Sequence, residues 1–190
     1  VETALMDVSL IEDAITEQTR CIIPVHLYGQ CVDMDSVKQI AVKHCLYVVE
    51  DCSQSHGATF QGHKAGSMGD MGVFSFYPTK PMGGFGDAGM IVTNSEKLDE
   101  RLRSLRFYGM KGVYYAEESG YNSRLDEVHA EILRYKLTKL DSYIESRRRL
   151  AQRYDEILAG YLTDLSGSSS GSSGVPAGAC FARKGPARTW

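Results

Sequence analysis

Two short apolar segments separated by one helical repeat constrain the fold more than any other feature of this sequence. The first segment is CIIPVHLYG, and the second is LYVVED, which ends in the acids Glu50 and Asp51. Between them, DMDSVKQIAVKHC places apolar residues at helical spacing. Apolar strands joined by a helix are typical of βαβ units, in which helices cover a parallel sheet. We therefore predict an α/β fold, with both acids at a strand's carboxyl end, where such sheets bind ligands.

The alternation of strands and helices continues after this unit. MGVFSFY and AGMIVTN are predicted strands on either side of a glycine-rich loop, and SEKLDERLRSLRFYG is a predicted helix capped by Ser95. From Leu125 to about Tyr161 the spacing predicts two helical pieces. Their apolar residues fall on one broad face: Leu133, Leu137, Leu140, Ile144, Leu150, Tyr154, Ile157 and Leu158.

Charge and cysteine usage exclude several classes of protein. The net charge is −3, from 21 basic and 24 acidic side chains, so the chain lacks the positive surface that nucleic acid or an anionic membrane requires. No apolar run is long enough to cross a bilayer, and the first residues do not resemble a secretory signal. We therefore expect a cytoplasmic protein with small-molecule partners. The five cysteines show no metal-binding spacing, so we expect reduced thiols and no metal site.

The glycine-rich loop contains the dinucleotide-binding pattern G-x-G-x-x-G. Its glycines are Gly84, Gly86 and Gly89. In a dinucleotide-binding fold these glycines open a helix, whose N-terminus meets the pyrophosphate. Here they lead into MIVTN, a predicted strand. The interpretation of this chain as a nicotinamide-dependent oxidoreductase therefore rests only on a motif that lies in the wrong structural context.

Lys80 lies just after a predicted strand, between Pro78 and Pro81. A loop lysine is most simply a solvated side chain. A lysine that is desolvated in such a loop can instead lose its proton near neutral pH and act as a nucleophile. Enzymes that use pyridoxal phosphate need a lysine to bind the cofactor and a carboxylate for its pyridine nitrogen. Lys80 and Asp51, at the ends of two neighbouring strands, supply both groups.

The ordered motifs around these two residues resemble the DegT/DnrJ/StrS-type family of pyridoxal-phosphate-dependent nucleotide-sugar aminotransferases. The resemblance extends from about Ile22 to about Leu158. Four segments carry it: VVEDCSQSHGATFQGHKAGSMGDMGVFSFYPTK, GDAGMIVTN, LRFYG and GYNSRLDEVHAEILRYKL. The resemblance implies part of the large domain of a fold-type I transferase, with a mostly parallel sheet flanked by helices, truncated at both ends.

The resemblance assigns a role to each of five residues. Asp51 would pair with the pyridine nitrogen, and Gln54 would hydrogen-bond the ring hydroxyl. Ser75 would contact the cofactor phosphate. Lys80 would bind the cofactor covalently and then move a proton to and from the amino acid's α-carbon. Asn122 would reach the phosphate of the neighbouring subunit's cofactor, which implies a homodimer with shared active sites.

Other polar and aromatic residues near these motifs have less specific interpretations. His26 and His56 would either line the sugar site or serve as structural histidines. Tyr28, Phe76 and Tyr77 are expected to contribute packing, and the resemblance places them near enough to the active site to contact it. Taken singly, the five assigned residues would also fit structural roles as caps, turns and strand polar groups.

The resemblance also implies a division of the chain and a reaction. Residues 1–123 would be the central part of the cofactor-binding large domain, 124–162 a long helical segment, and 163–190 a disordered Ser/Gly-rich tail. The expected reaction moves an amino group, with glutamate as the donor, to a nucleotide-linked keto-deoxysugar. Two alternatives stay open: a dehydratase of the same family, in one branch of which a histidine replaces the lysine, and a non-catalytic regulatory module.

Overall fold

The computed structural model describes residues 3–112 and 114–166, with side chains as far as residue 159. Short 3-10 turns occur at Val8–Leu10 and Leu27–Gly29. The helices are α1 (Ile11–Ala14), α2 (Met34–Lys43), α3 (Glu96–Arg106), α4 (Glu127–Leu137) and α5 (Leu140–Ser166). The strands are β1 (Cys21–Ile22), β2 (Tyr47–Asp51), β3 (Thr59–Phe60), β4 (His63–Lys64), β5 (Met71–Ser75), β6 (Gly89–Val92), β7 (Met110–Gly112) and β8 (Tyr115–Ala116).

The central sheet has four strands in the order β1-β2-β5-β6. β1, β2 and β5 run parallel, and β6 is antiparallel to β5. The predicted α/β fold with a mostly parallel sheet is thereby confirmed. The first strand is shorter than predicted, because Pro24 interrupts it. Proline has no backbone N–H to donate to the neighbouring strand. Pairing resumes at the next residue, where Val25 lies opposite Asp51.

Two predicted helices begin at side-chain caps, of which the one at Ser95 was predicted. The Asp33 carboxylate accepts the backbone N–H of Ser36 at the start of α2. The Ser95 hydroxyl accepts the backbone N–H of Leu98 at the start of α3. Each bond satisfies one of the N–H groups that a helix leaves unpaired at its first turn.

Separate apolar clusters hold the helices to the sheet. Under α2 the buried side chains are Ile11, Ile22, Val32, Met34, Val37, Ala41 and Val48. Around α4 and the start of α5 they are Phe76, Met82, Leu133, Leu140 and Ile144. The broad apolar face predicted for the last two helices is only partly buried. Its other members are exposed: Leu137, Leu150, Tyr154, Ile157 and Leu158.

The C-terminal part of the chain differs from the predicted boundary. Helix α5 continues to Ser166, so residues 163–166 are helical although they were assigned to the tail. Most of the predicted tail, and with it Cys180, lies outside the described residues. The other four cysteines have free thiols. No helix in the described part of the chain is both long and apolar enough to cross a membrane.

A buried carboxylate, Glu50, joins three parts of the fold. One oxygen accepts hydrogen bonds from the His26 ring at 2.9 Å and from the Gly66 N–H at 2.8 Å. The other accepts the N–H groups of Met68 and Gly69, both at 2.7 Å. Burial alone would raise the pKa of Glu50, but the His26 and backbone donors together hold that pKa below its usual value. The carboxylate therefore ties β2 to the turn after β4.

His26 is held in one neutral tautomer by its two contacts. The Val32 N–H donates to Nδ1 at 3.2 Å, so Nδ1 carries no proton. Nε2 therefore carries the proton and donates it to Glu50. This network makes His26 a structural histidine with both ring nitrogens satisfied.

The turn bound by Glu50 approaches β5 too closely for side chains. A Cβ atom on Gly72 would lie 2.3 Å from the Cα atom of Gly66, which no real structure allows. Gly66 also has a φ of +88°, in the left-handed region that favours glycine. Two glycines thus allow the turn to reach the carboxylate across the strand.

Substituting Glu50 by glutamine should destabilise the chain. The amide nitrogen would face backbone donors, and each buried donor left without an acceptor costs about 1–3 kcal/mol. We expect a fall of at least this size in the free energy of unfolding, measured by urea denaturation. Glu12→Gln is the matched control, because Glu12 is exposed and bonds Lys43 and His44 at the surface. Its expected effect on the free energy of unfolding is much smaller, because solvent screens an exposed carboxylate. Equal effects of the two variants would contradict the anchoring role of Glu50.

Candidate functional site

The pairing of β2 with β5 places two of the predicted site residues on one face of the sheet. Asp51 lies directly opposite Val73 in this parallel pair. Ser75 follows two residues later on the same strand, and residues two apart in a strand share a face. Asp51 and Ser75 therefore project from the same face at the carboxyl ends of neighbouring strands, where parallel sheets bind ligands.

Asp51 and Gln54 are both half-buried and both held by backbone donors. The Ser53 N–H donates to Asp51 Oδ1 at 3.0 Å. The Tyr28 N–H lies 3.4 Å from Gln54 Oε1, at the limit of a hydrogen bond. Tyr28 adopts a φ of +56°, a conformation uncommon for a bulky residue and often found near functional sites. The ring of Tyr28 is exposed, so the predicted packing role is not what the structure shows.

Ser75 and Lys80 belong to one compact loop. The Ser75 hydroxyl oxygen accepts the Tyr77 N–H at 3.3 Å, which leaves its own O–H available to donate. The Lys80 N–H donates to the Tyr77 carbonyl at 2.8 Å, and the Gly83 N–H donates to the Lys80 carbonyl at 2.9 Å. Two consecutive turns thus present Lys80, whose side chain is half-buried. Phe76 is buried as predicted, whereas Tyr77 is exposed.

His56 differs from His26 in making no well-formed hydrogen bond; its nearest polar neighbour is the Ser75 backbone. Its ring is 3% exposed, and neither ring nitrogen is bonded within the described part of the chain. The rings of Phe74 and Phe76 lie 5.4 and 5.7 Å from it, centroid to centroid. Burial lowers the pKa of His56 to about 4, a contact with the Ser75 backbone opposes this shift, and the charge of Lys80 adds to it. His56 is therefore a neutral, buried polar group between the end of β5 and Lys80, which sequence reasoning had not distinguished from His26.

A buried group of potential metal ligands lies behind this site but is committed to other bonds. His26, Glu50 and Cys52 have ligand atoms within 4.8 Å of one another. Both oxygens of Glu50 already accept two hydrogen bonds each. Burial also raises the pKa of Cys52 to about 12, so its thiol stays protonated. The group is a structural core element.

Asn122 lies on a different loop from the other four residues and is exposed. It pairs with Phe107 in an isolated antiparallel bridge. Arg124 Nε donates to Asn122 Oδ1 at 3.1 Å. Because that bond identifies the amide oxygen, the amide N–H groups are left to donate outward.

The groups at the strand ends fit pyridoxal phosphate in their chemistry. Asp51 offers a carboxylate for the pyridine nitrogen, Gln54 an amide for the ring hydroxyl, and Lys80 an amine for the aldehyde. Ser75 offers a hydroxyl donor for the phosphate. His56 adds a buried imidazole with only a weak contact to the Ser75 backbone, and buried polar groups usually have well-formed hydrogen bonds to protein, ligand or water.

Comparison with known proteins gives a consistent result. A family model described as the DegT/DnrJ/EryC1/StrS aminotransferase family matches residues 1–171. The dTDP-3-amino-3,4,6-trideoxy-alpha-D-glucose transaminase of Micromonospora megalomicea subsp. nigra is 55% identical over 159 residues, which are 83% of this chain and 42% of that protein. The pleiotropic regulatory protein of Geobacillus stearothermophilus is 46% identical over 84% of this chain and 43% of its own length. The chain thus spans about two fifths of the curated relatives it matches.

Solved structures show the same similarity in three dimensions. The crystal structure of S. venezuelae DesV matches 84% of this chain and 43% of its own, with a TM-score of 0.80 and 47% identity. The GDP-4-keto-6-deoxy-D-mannose-3-dehydratase of E. coli, solved with bound hydrated PLP, has a TM-score of 0.73 and 27% identity over 80% of this chain and 43% of its own. The expectation of a pyridoxal phosphate family is confirmed.

The low pKa of His56 predicts a specific pH dependence of stability. The unfolded chain takes up this proton near pH 6.5, whereas the folded chain resists it until about pH 4. The free energy of unfolding should therefore fall as the pH drops from 6.5 towards 4. In His56→Phe this part of the slope should disappear, as measured by urea denaturation at several pH values. His63→Phe, at an exposed position of β4, should keep the wild-type slope. An unchanged slope in His56→Phe would show that His56 does not titrate as described.

Proposed function

This chain belongs to the DegT/DnrJ/EryC1/StrS aminotransferase family, and from that membership we propose the activity of the protein. It transfers an amino group from an amino acid, with glutamate as the donor, to the keto group of a nucleotide-linked deoxysugar. Relatives named as dTDP-sugar and UDP-sugar aminotransferases support this substrate class.

The observation that carries the proposal is the register between β2 and β5. It sets Asp51 and Ser75 on one sheet face, and the turns after Ser75 return Lys80 to the same end of the sheet. A carboxylate, a hydroxyl donor and an amine at neighbouring strand ends are the groups that pyridoxal phosphate enzymes require. The effect of the Lys80 charge on His56, a residue from the loop after β2, supports this proximity.

In this proposal each residue has one task. Pyridoxal phosphate, when bound, supplies an electron sink for the carbanion that forms at the amino acid's α-carbon. Asp51 would hold the pyridine nitrogen in its protonated form through its negative charge, and Gln54 would orient the ring through the ring hydroxyl. Ser75 would donate its O–H to the phosphate. Lys80 Nζ would hold the cofactor at its aldehyde carbon before the amino acid binds, and once released as a free amine it would take the α-proton as a general base and return it as a general acid.

Asn122 is proposed to act in the partner subunit's site. Its amide N–H groups are free to donate because Arg124 occupies the amide oxygen. An exposed loop position is consistent with a contact made across a subunit interface. The proposed assembly is therefore a homodimer in which each active site takes Asn122 from the other chain.

Two other functions have some support. The matched dehydratase favours sugar dehydration with the same cofactor, although Lys80 is the residue expected of a transaminase. The relative named as a pleiotropic regulatory protein favours a regulatory role. The presence of Lys80 and Asp51 together favours the aminotransferase over both alternatives.

Covalent labelling tests the cofactor and the nucleophile together. Wild-type chain mixed with pyridoxal phosphate should develop imine absorbance, and borohydride reduction should leave the label on the peptide that contains Lys80, as identified by mass spectrometry. Lys80→Arg keeps the charge but cannot form the imine, so its labelling should fall to background. Lys64→Arg, at an exposed strand position, is the matched control and should label like the wild type. Label spread equally over surface lysines in a folded chain would refute the assignment.

The shared site predicts that Asn122→Ala weakens cofactor binding. The loss of one hydrogen bond to a charged phosphate should reduce affinity about tenfold or more. The measurement is a titration of imine absorbance, with sedimentation at the same protein concentrations. Asn94→Ala removes an exposed asparagine that bonds the Ser67 carbonyl and should leave affinity unchanged. If Asn122→Ala has its full effect on a monomer, the cross-subunit role of this residue is wrong.

A further inference from the structure

Helix α4 makes a direct hydrogen bond to the loop that carries Lys80. The Phe85 N–H donates to His129 Nε2 at 3.1 Å. An amide N–H only donates, so Nε2 must carry the lone pair and Nδ1 the proton. Phe85 is 79% exposed, so apolar packing does not fix this part of the loop. The hydrogen bond to the His129 imidazole fixes it instead.

The loop backbone is pressed against the same imidazole. A Cβ atom on Gly84 would lie 2.1 Å from His129 Nε2. Any side chain at this position would therefore displace the histidine and break the bond to Phe85. Gly84 is needed for the approach of α4, not for a dinucleotide phosphate.

A second side chain of α4 binds the preceding residue of the loop. Lys136 Nζ donates to the Gly83 carbonyl and lies 5.3 Å from the centroid of the Phe85 ring. His129 and Lys136 are seven residues apart, so they share one face of the helix. Between them Leu133 is buried against the cluster of Phe76 and Met82. One helix face thus holds three consecutive residues of the loop.

Two of these three residues, Gly83 and Gly84, make the hydrogen bonds of the turn at Lys80. The Gly83 N–H donates to the Lys80 carbonyl at 2.9 Å. The Gly84 N–H donates to the Phe76 carbonyl at 2.7 Å and closes the loop onto the end of β5. A shift of Gly83 or Gly84 therefore moves the backbone of Lys80.

We propose that His129 is a positioning residue for Lys80, acting through the Phe85 N–H and the Gly83–Gly84 turn, with Lys136 as a second tie. The inference rests on the proposed function, because that function gives Lys80 its role. His129 does not touch the reacting atoms. It limits the conformations from which the Lys80 amine reaches a carbonyl compound, and reactions depend strongly on such pre-positioning.

A pair of variants separates the hydrogen bond from the volume of the side chain. His129→Gln places an amide oxygen at about the reach of Nε2, so it keeps an acceptor for Phe85. His129→Leu removes the acceptor at similar size. Hydrogen exchange of the Phe85 amide should accelerate about tenfold or more in His129→Leu and stay near wild type in His129→Gln.

The same variants are tested for the reactivity of Lys80. With pyridoxal phosphate and borohydride, the rate of labelling at Lys80 should fall several-fold in His129→Leu and recover in His129→Gln. Labelling of the exposed Lys64 should be the same in all three chains. Lys136→Met, which keeps the apolar stem, should weaken both readouts in the same direction.

Leu133→Ala is the control for general destabilisation. It opens the packing of α4 on Phe76 but leaves the His129 acceptor in place. If Leu133→Ala, at equal loss of stability, releases the Phe85 amide as much as His129→Leu does, or if His129→Gln fails to restore protection, the positioning role is overturned.

The two readouts distinguish failure of this inference from failure of the proposed function. Absence of label at Lys80 in the wild type would count against the function of Lys80, while Phe85 exchange would still decide the bond to His129. Normal labelling of Lys80 in a folded His129→Leu chain would overturn the inference and leave the proposed function intact.

Discussion

The buried carboxylate of Glu50 is the interaction on which the arrangement of the site depends. An ionised carboxylate in the core is tolerated only when its oxygens are fully hydrogen-bonded. Here His26 and three backbone N–H groups provide those bonds. The network fixes the end of β2 relative to both neighbouring loops. It also fixes the direction of the next residue, because consecutive residues of a strand project to opposite faces. Asp51 is therefore oriented by the anchoring of Glu50.

The Lys80 side of the site has a different physical origin. Among the described residues, no ion pair with a buried charge fixes Lys80. Its loop is shaped by turn hydrogen bonds to Tyr77 and Phe76. Side chains of α4 also hydrogen-bond this loop. The two halves of the site are thus held by different interactions. The position of Asp51 depends on electrostatic contacts within the sheet, whereas the position of Lys80 depends on a helix from later in the chain. A helix–loop contact is easier to shift than a buried carboxylate with four donors, so adjustments of the site are expected on the lysine side.

Local sequence patterns predicted the elements well, because strands, helices and caps depend on neighbouring residues. The βαβ unit, the cap at Ser95 and the strand before the glycine loop were all visible in this way. Long-range contacts were not. The hydrogen bond from His26 to Glu50 joins residues 24 positions apart, and the bond from Phe85 to His129 joins residues 44 positions apart. The spacing of apolar residues along the sequence predicts neither bond. The same limit applies to the apolar face of α4 and α5: helical spacing shows that a face is apolar without showing what covers it.

Glu50 and Asp51 show why residue type alone does not identify a binding carboxylate. Both are acids at the end of one strand, and the sequence gives no reason to separate them beyond the family pattern. In the structure Glu50 is fully buried with four donors, so its oxygens have no capacity left for a ligand. Asp51 is half-buried and receives the Ser53 N–H on one oxygen, so its charge remains usable. A slip of one residue in the β2 register would exchange the two environments. The proposed pairing of Asp51 with a cationic ring nitrogen therefore depends on strand register, which the Glu50 network holds in place.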